Sequence, residues 1–334
     1  MLSSILVTGA SGFIGQHFCR HLKKKGCQVR ALLRKKLSSN NVEGLWDEEL
    51  ECCLGEDPLP AGTLEGVSTV FHLAGIAHSF KPIREMAKVY WSVNLAATEE
   101  LLKKAALSGI KRFIYFSSVK AMGDPGEHCV GELWNALPVD VYGLSKRRAE
   151  EAVLAAGRAS SMHVCCLRPA LVYGPGVKGN LLRMMAAIDA GRFPPVPDTG
   201  NRRSLVHVED LIQAAMLAAD KPAANGKTYI VTDGRQYSTR EMYVMMAATL
   251  GRKVPSWTVP AWVLRGGGHI GDVIGRIRGR RFPVDSEAVT RLLGSACYNS
   301  RKIEQELGYH PTRDLCSTLP EMVDSYRQRQ QTSG

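Results

Sequence analysis

The sequence predicts a doubly wound α/β fold, in which a parallel sheet carries helices on both faces, with a smaller and mainly C-terminal lobe attached. Three observations predict it. Short β-rich apolar runs alternate with helical patterns in the first half, a glycine-rich turn follows the first run, and glycine- and proline-rich loops follow Pro169. We therefore expect a first domain over residues 1–168, a second lobe over residues 169–334, and pieces near residues 204–234 that return to the first domain.

The β-rich runs predict strands near residues 5–8, 28–33, 51–54, 70–73, 113–117 and 163–167. Between them, helical patterns predict helices at about residues 12–25, 82–108 and 141–156. Two later apolar runs, at residues 204–208 and 228–231, predict further strands. Because parallel strands need long crossover connections, a helix between successive strands indicates a parallel sheet.

The composition is that of a folded protein with a large core. The chain has 334 residues, of which 45% are hydrophobic, and no run approaches the roughly 20 apolar residues of a membrane span. No leader pattern precedes the first strand, so we expect a soluble cytoplasmic protein. The nine cysteines show neither C-x-x-C nor zinc-ligand spacing, and we expect buried, reduced core residues and no metal site.

The charge predicts an anionic partner, since 43 basic residues against 32 acidic ones leave a net charge of +11. The basic residues are scattered without interleaved aromatics, which argues against nucleic acid. The densest cluster, "GRIRGRRF" at residues 275–282, follows the amphiphilic "WTVPAWVL" at residues 257–264. Two interpretations stay open for it: a solvated basic loop, which we favour, and a peripheral contact with an anionic membrane surface.

The stretch "LVTGASGFIG" at residues 6–15 has G-x-x-G-x-x-G spacing between a predicted strand and a predicted helix. Glycine is needed where the backbone turns tightly, approaches a pyrophosphate and lets the helix pack on its strand. The helix N-terminus then binds the phosphates. We therefore predict a dinucleotide site, with a ligand-free turn as the alternative, formed by Gly9, Gly12, Phe13, Ile14 and Gly15.

The end of the second predicted strand bears on the cofactor. It continues into Arg34, Lys35 and Lys36 without an acid, whereas an acid at this place would bind the ribose hydroxyls of NAD. This favours NADP(H) over NAD(H), although the same residues could be plain solvated charge. After the third strand, Glu56 and Asp57 are placed to meet the adenine edge.

The segment "VDVYGLSKRRAEEAV" at residues 139–153 carries the candidate chemistry. Tyr142 and Lys146 are spaced i, i+4, so a helix presents both on one face. An ammonium beside a phenol lowers the pKa of the phenol and makes it usable for proton transfer. Upstream, the strand in "RFIYFSSVKAMG" ends in Ser117 and Ser118, at the sheet edge where open α/β folds bind ligands.

With these motifs the chain resembles an extended short-chain dehydrogenase/reductase of the NAD-dependent epimerase/dehydratase family, which has a Rossmann fold. The resemblance covers nearly the whole chain, and its marks occur in family order. They are "TGASGFIG", "VFHLAG", "VNLAAT", "FSSVKAMG", "YGLSK", "LRPALVYGPG" and "RRSLVHVEDL".

The resemblance implies a role for each matching position. Tyr142 would be the acid/base, Lys146 would bind the nicotinamide ribose and lower the tyrosine pKa, and Ser118 would bind the reacting oxygen. Asn94 would support the active site from the long central helix. Further residues would line the cofactor: Leu73, Ala74, Gly75, Ser117 and the segment from Pro169 to Val172. His72 and His207 are interpreted as packing histidines.

The resemblance also implies a UDP-sugar substrate, with Arg203 on the diphosphate, Asn180 near the sugar nucleotide, and Arg291 and Lys120 as weaker candidates. We predict reduction at carbon 4 of a UDP-4-keto-6-deoxy-N-acetylhexosamine by NADPH. A 4-epimerase with tightly bound NAD is the main alternative. A ketone or steroid reductase and a non-catalytic NAD(P)-binding sensor or assembly subunit also remain open. A homodimer through a helix pair that includes the Tyr142 helix is expected.

Overall fold

The computed structural model describes residues 4–35, 42–77, 83–278, 282 and 285–333. Its strands are β1 (Ser4–Thr8), β2 (Gln28–Leu33), β3 (Glu48–Glu51), β4 (Val67–His72), β5 (Arg112–Phe116), β6 (Cys129–Val130), β7 (His163–Pro169), β8 (Leu171–Tyr173), β9 (Arg203–His207), β10 (Lys227–Val231), β11 (Gln236–Tyr237) and β12 (Cys297–Tyr298). Its α-helices are α1 (Phe13–Lys24), α2 (Ile83–Tyr90), α3 (Ala97–Leu107), α4 (Val141–Ala159), α5 (Asn180–Asp189), α6 (Val208–Asp220), α7 (Thr239–Thr249), α8 (Ala261–Ile277), α9 (Ser286–Leu293), α10 (Arg301–Leu307) and α11 (Leu315–Ser333).

Seven strands form one parallel sheet in the order β10-β7-β5-β4-β1-β2-β3. The chain starts in the middle at β1, builds outward through β2 and β3, and then builds to the other side from β4. The direction of building reverses between β1 and β4, and the carboxyl ends of these strands form the crevice where such sheets bind ligands. The predicted doubly wound α/β fold is confirmed.

Both faces of this sheet are buried. Successive strand residues point to opposite faces, so Leu6 packs in the core under α3 and α4 while Val7 packs in the core under α1 and α6. A third core lies in a smaller lobe, where α5, α7 and α11 pack together. The lobe also contains a three-stranded sheet, in the order β11-β9-β8.

Most predicted strands lie within three residues of the observed ones. The strand expected near residues 51–54 instead ends at Glu51, because pairing with β2 places Glu51 beside Leu33. Of the two later runs, β10 joins the main sheet beside β7, whereas β9 lies in the small sheet between β8 and β11. The long helix expected at residues 82–108 is interrupted by a π-helical turn over Trp91–Ala96.

The expectation that all cysteines are buried and reduced holds for four of the nine and is wrong for the other five, of which Cys27 and Cys53 are half-buried thiols. Cys129 and Cys297 form a disulfide, with their Cα atoms 4.5 Å apart, and Cys316 is an exposed thiol. The disulfide arises because β6 pairs with β12 so that these two residues are direct neighbours. The pairing joins positions 168 residues apart, so spacing along the chain could not reveal it.

The described residues contain neither a helix suited to span a membrane nor a cluster suited to bind a metal ion. None of their helices is both long enough and apolar enough to span a membrane. Among the same residues, no group of three or more histidine, cysteine, aspartate or glutamate side chains is arranged to hold a metal ion.

Candidate active site

The glycine turn joins β1 to α1 at the crevice. Gly9 has φ +70°, and a Cβ there would lie 2.8 Å from the Ala74 amide nitrogen, so both backbone conformation and close approach require glycine. A Cβ on Gly15 would collide with the Gly9 carbonyl. Gly12 caps α1 without a side-chain hydrogen bond, which leaves the helix N-terminus suited to a phosphate.

A line of buried hydrogen bonds runs from this turn to the central helix, which consists of α2, the π-helical turn and α3. The Ala74 N–H donates to Thr8 Oγ1 (3.1 Å), and Thr8 Oγ1 lies 2.7 Å from His72 Nδ1. On the other side, His72 Nε2 lies 2.8 Å from Thr98 Oγ1. The Thr98 hydroxyl donates to the Asn94 carbonyl (2.9 Å).

These contacts define the protonation of the imidazole. Because the Thr98 hydroxyl donates onward, it accepts from the Nε2–H of His72, and His72 Nδ1 in turn accepts from the Thr8 hydroxyl. Complete burial and the nearby Lys146 lower the pKa of His72 to about 3, so the ring is neutral. His72 thus connects β1, β4 and the central helix.

The π-helical turn places Asn94. Its Oδ1 accepts from the Ile76 N–H (2.9 Å), and its Nδ2 donates to the Ile76 carbonyl (3.2 Å) and to Ser145 Oγ (3.1 Å). A π-turn inserts an extra residue into a helix and is often found at functional sites. Here the turn lets a buried amide bridge the loop after β4 and the helix α4.

Helix α4 carries Tyr142 and Lys146 into the crevice. Asp140 caps the helix by accepting from the Gly143 N–H (2.7 Å). A Cβ on Gly143 would lie 2.6 Å from the Lys120 carbonyl, so glycine lets α4 pack against the segment after β5. This packing places the Tyr142 phenol close to the Ser118 side chain, which is one of the groups that lower the phenol pKa.

Lys146 is buried, with 4% of its surface exposed. Its Nζ donates to the Phe116 carbonyl (2.6 Å) at the end of β5 and lies 4.3 Å from the centroid of the Tyr115 ring. A Cβ on Gly75 would lie 3.6 Å from this Nζ and 3.1 Å from Asn94 Oδ1. Asn94, Gly75 and Lys146 therefore converge on one point, as the motifs suggested.

The pKa values differ from the sequence-based expectation. Burial raises the pKa of Tyr142 to about 12, and the neighbouring Ser118 side chain only partly offsets this rise. Burial lowers the pKa of Lys146 to about 7. The expectation that Lys146 lowers the phenol pKa is wrong for the protein alone, because the ammonium is directed at the Phe116 carbonyl and desolvation dominates.

Ser117 is buried, and its hydroxyl has no hydrogen-bond partner among the described residues, while its N–H donates to the Leu167 carbonyl (2.7 Å). A buried hydroxyl without a partner is costly, so a ligand that bonds to it would remove that cost. Pro169 ends β7 beside Val231, and Val172 lies in β8. With the glycine turn, these features fit the dinucleotide that the motifs imply.

The residues expected at the adenine end are exposed. Arg34 directly follows β2 and is exposed. The Asp57 carboxylate accepts from the Cys53 N–H (2.8 Å), and Glu56 accepts from the Cys53 thiol (3.2 Å). Both acids thus stabilise the turn after β3 through their bonds to Cys53. The sequence did not indicate these bonds.

The substrate candidates lie in the smaller lobe and beside it. The Arg203 guanidinium donates to the backbone carbonyls of Arg291 (2.6 Å) and Gly294 (3.1 Å). Arg291 itself pairs with Glu287 (3.4 Å) along α9. The two arginines are therefore neighbours, although Arg291 is held at the helix surface. Asn180 begins α5, and both Asn180 and Lys120 are exposed.

Sequence reasoning missed several residues that support this site. Glu150 and Arg168 form a buried, bidentate ion pair (2.8 and 2.6 Å) that ties α4 to β7. Thr8, Thr98 and Ser145 carry the hydrogen bonds around His72 and Asn94. The sequence does not single these residues out: Glu150 and Ser145 lie among other polar residues, and Thr8 and Arg168 are single polar residues at the ends of apolar runs, as at many unrelated positions.

Comparisons with known proteins agree with this geometry. The model of the NAD dependent epimerase/dehydratase family matches residues 5–232. A Vibrio cholerae protein named UDP-glucose 4-epimerase is 33% identical over 98% of this chain and 97% of its own length. A ketoreductase of Stigmatella aurantiaca acting on a farnesyl dihydroquinoline oxide is 26% identical over 91% of this chain and 90% of its own length.

Solved structures give the same result. The structure described as MoeE5 in complex with UDP-glucose and NAD superposes with a TM-score of 0.75 at 25% identity, covering 98% of this chain and 99% of that one. A likeness of this extent includes both the main sheet and the smaller lobe.

Proposed function

The chain belongs to the NAD-dependent epimerase/dehydratase family, and we propose that within this family it is an oxidoreductase acting at carbon 4 of a UDP-linked sugar. The form that we put first is the NADPH-dependent reduction of a UDP-4-keto-6-deoxy-N-acetylhexosamine. The observation that carries the proposal is the shared helix of Tyr142 and the buried Lys146, whose Nζ is bonded to the end of β5, with Ser118 close enough to the phenol to affect its pKa.

A bound nicotinamide would supply the hydride, and the residues of this chain manage the proton. Tyr142 remains a protonated phenol at neutral pH, which is the state that a proton donor to a keto oxygen requires. The Ser118 hydroxyl lies beside it and can donate to the same oxygen as charge develops. Reduction of a ketone to an alcohol requires these two roles, a proton donor and a second hydrogen-bond donor at the keto oxygen.

In this proposal Lys146 binds the coenzyme ribose, and Asn94 keeps the segments around Lys146 in place. The lysine has three donors, of which one is directed at the Phe116 carbonyl, so others remain for a ribose hydroxyl. Asn94 bonds to the Ile76 backbone and to Ser145, the residue that precedes this lysine on α4. Loss of the amide would therefore shift both the loop after β4 and the helix α4.

The glycine turn supports a dinucleotide of either form, and the end of β2 supports NADP(H). The glycine turn suits a pyrophosphate, and the exposed Arg34 at the end of β2 offers a guanidinium, which binds phosphate with a bidentate fork. No carboxylate takes the place of Arg34 at that strand end. NAD(H) is the alternative, supported by the NAD in the MoeE5 structure.

The substrate assignment relies on the smaller lobe. The Arg203 guanidinium is partly buried and fastened to two carbonyls, so it is oriented before any ligand binds. An oriented guanidinium suits a diphosphate. Asn180, Arg291 and Lys120 are proposed as further contacts to the sugar nucleotide, and all three belong to the exposed or half-exposed surface of the chain.

The second candidate is a UDP-sugar 4-epimerase, which the 33% identity to the Vibrio cholerae protein of that name favours. The same tyrosine, serine and lysine would serve it, since epimerisation removes and returns a hydride at one carbon. The two candidates differ in whether the cofactor is consumed.

The deciding experiment gives the purified full chain two substrates. With NADPH and a UDP-4-keto-6-deoxy-N-acetylhexosamine, a reductase oxidises stoichiometric NADPH and forms the 4-hydroxy sugar, as seen by absorbance and NMR. With UDP-glucose or UDP-N-acetylglucosamine and no added coenzyme, an epimerase forms the 4-epimer. Turnover of neither, in protein shown to bind the coenzyme, would overturn the proposal. Tyr142→Phe serves as the inactive control.

A further inference from the structure

We propose that one face of α8 is a docking surface for an anionic phospholipid membrane. The described residues expose large apolar side chains at only a few places, and a cluster of them lies on this helix and just before it. The cluster is defined as Trp257, Trp262, Val263, Ile270, Val273 and Ile277. Exposed apolar patches of this kind mark interaction sites in proteins. The inference does not depend on the proposed function.

The five cluster residues within α8 share one side of the helix. At about 100° per residue, Trp262, Val273, Ile277, Ile270 and Val263 fall within an arc of about 100°. Gly266, also exposed, falls inside this arc, and because it has no side chain it does not cover the apolar residues beside it. The periodic spacing therefore builds a continuous apolar stripe.

The opposite side of α8 is fastened to the lobe. Gly268 and Gly271 are buried there, and a Cβ on Gly268 would lie 3.0 Å from Ser286 Cα at the start of α9. Asp272 accepts from the Ser286 N–H (3.1 Å). Because the helix is held on this side, the apolar stripe is directed away from the protein and is not available to its own core.

The charge around the stripe selects the partner. Arg265 and Arg276 lie at one edge of the arc and Arg278 lies at the other, and all three are exposed. The sequence continues with Arg280 and Arg281, which lie outside the described residues. An apolar stripe bordered by arginines, with tryptophans at its N-terminal end, is the pattern of helices that lie in the interface of anionic membranes.

A second copy of this chain is the main competing occupant. Two α8 faces meeting about a twofold axis would bring their arginine borders together, in a chain that already carries a net charge of +11. An anionic lipid surface instead pairs with that charge. We therefore commit to the membrane, and self-association through α8 becomes a result that would contradict it.

The test is co-sedimentation of the full chain with phosphatidylcholine vesicles, with and without phosphatidylglycerol. We expect binding to the anionic vesicles, weaker binding at high salt, and little binding to phosphatidylcholine alone. Ile277→Glu should weaken binding on the order of tenfold by placing a carboxylate in the interface. Its matched control is Leu107→Glu, because both residues are the last of a helix and both are 80% exposed.

A second pair of variants tests the charge. Arg265→Glu with Arg276→Glu should remove the salt-dependent part of binding, whereas Arg158→Glu, an exposed arginine on α4, should not. Circular dichroism and coenzyme binding check that each variant is folded. Equal binding by wild type and Ile277→Glu, or no vesicle binding by wild type, would overturn the proposal. A change of oligomeric mass in Ile277→Glu without vesicle binding would assign the face to a second copy instead.

Discussion

Lys146 Nζ donates a 2.6 Å hydrogen bond to the carbonyl oxygen of Phe116, the last residue of β5. This contact connects the helix that carries Tyr142 to the strand that leads into Ser117 and Ser118. The ammonium is therefore held by a backbone carbonyl and lies over the Tyr115 ring. Its remaining N–H donors are free to bind neighbouring hydroxyls. The candidate catalytic residues are thus positioned before a ligand binds.

Replacing Tyr142 by Phe should lower the rate of turnover by about two to four orders of magnitude, because the proton donor is lost. Coenzyme affinity should remain nearly unchanged, since the ring still packs near Tyr90. The measurements are steady-state NADPH oxidation and coenzyme titration by calorimetry. An unfolded variant would show instead that the residue is structural, and full activity would exclude it as the acid.

Stability should depend on pH through Lys146. Burial lowers its folded pKa to about 7 from an ordinary 10.5, so the buried ammonium is destabilising at acidic pH and the cost falls as pH rises between these values. Lys146→Met removes this titration. The melting temperature of wild type, relative to the variant, should therefore rise by several degrees from neutral to alkaline pH. A constant difference would show that the lysine titrates normally.

His72→Leu should destabilise the protein by about 1–3 kcal/mol, because it leaves the Thr8 and Thr98 hydroxyls buried without their partner. Urea unfolding measures the change. Adding Thr98→Val removes a hydroxyl that has already lost its bond to His72 and keeps only its bond to the Asn94 carbonyl, so Thr98→Val should cost less in the His72→Leu background than in wild type. Additive effects would contradict the hydrogen-bonded line between β1 and the central helix.

Arg34→Asp should shift the coenzyme preference from NADPH toward NADH. The guanidinium that would bind a 2′-phosphate becomes a carboxylate that repels it and accepts from ribose hydroxyls. We expect the ratio of kcat/KM values to change on the order of tenfold or more. Lys24→Asp, an exposed charge reversal at the end of α1, is the control. Equal shifts in both variants would indicate a general charge effect.

Arg203→Ala should weaken UDP binding by on the order of tenfold, measured by calorimetry, since it removes the oriented donor fork. The same change leaves the Arg291 and Gly294 carbonyls without this donor, so the melting temperature should also fall slightly. Arg203→Lys retains charge but lacks the fork, and should restore only part of the affinity. Unaltered UDP binding in folded Arg203→Ala would remove the diphosphate assignment.

Much of the architecture could be predicted because the signals are local. The period of the apolar residues distinguishes strand from helix. Gly9 and Gly15 belong to one short turn, whose close backbone contacts leave no room for a side chain. Likewise, the i, i+4 spacing of Tyr142 and Lys146 predicts their common helix face. The family resemblance then placed Ser118 and Asn94 near them, and the structure brings these residues to one crevice.

The remaining features depend on contacts between distant parts of the chain. The π-turn at Asn94, the His72 hydrogen bonds and the Cys129–Cys297 disulfide each arise where strands or helices far apart in sequence pack side by side. The pKa values of Tyr142 and Lys146 follow from burial, which a spacing pattern does not contain. Periodicity and turn chemistry therefore determined the fold class, and the spacing of Tyr142 and Lys146 together with the family resemblance determined the candidate residues. Only tertiary packing, which sets desolvation and hydrogen-bond partners, decided their protonation and orientation.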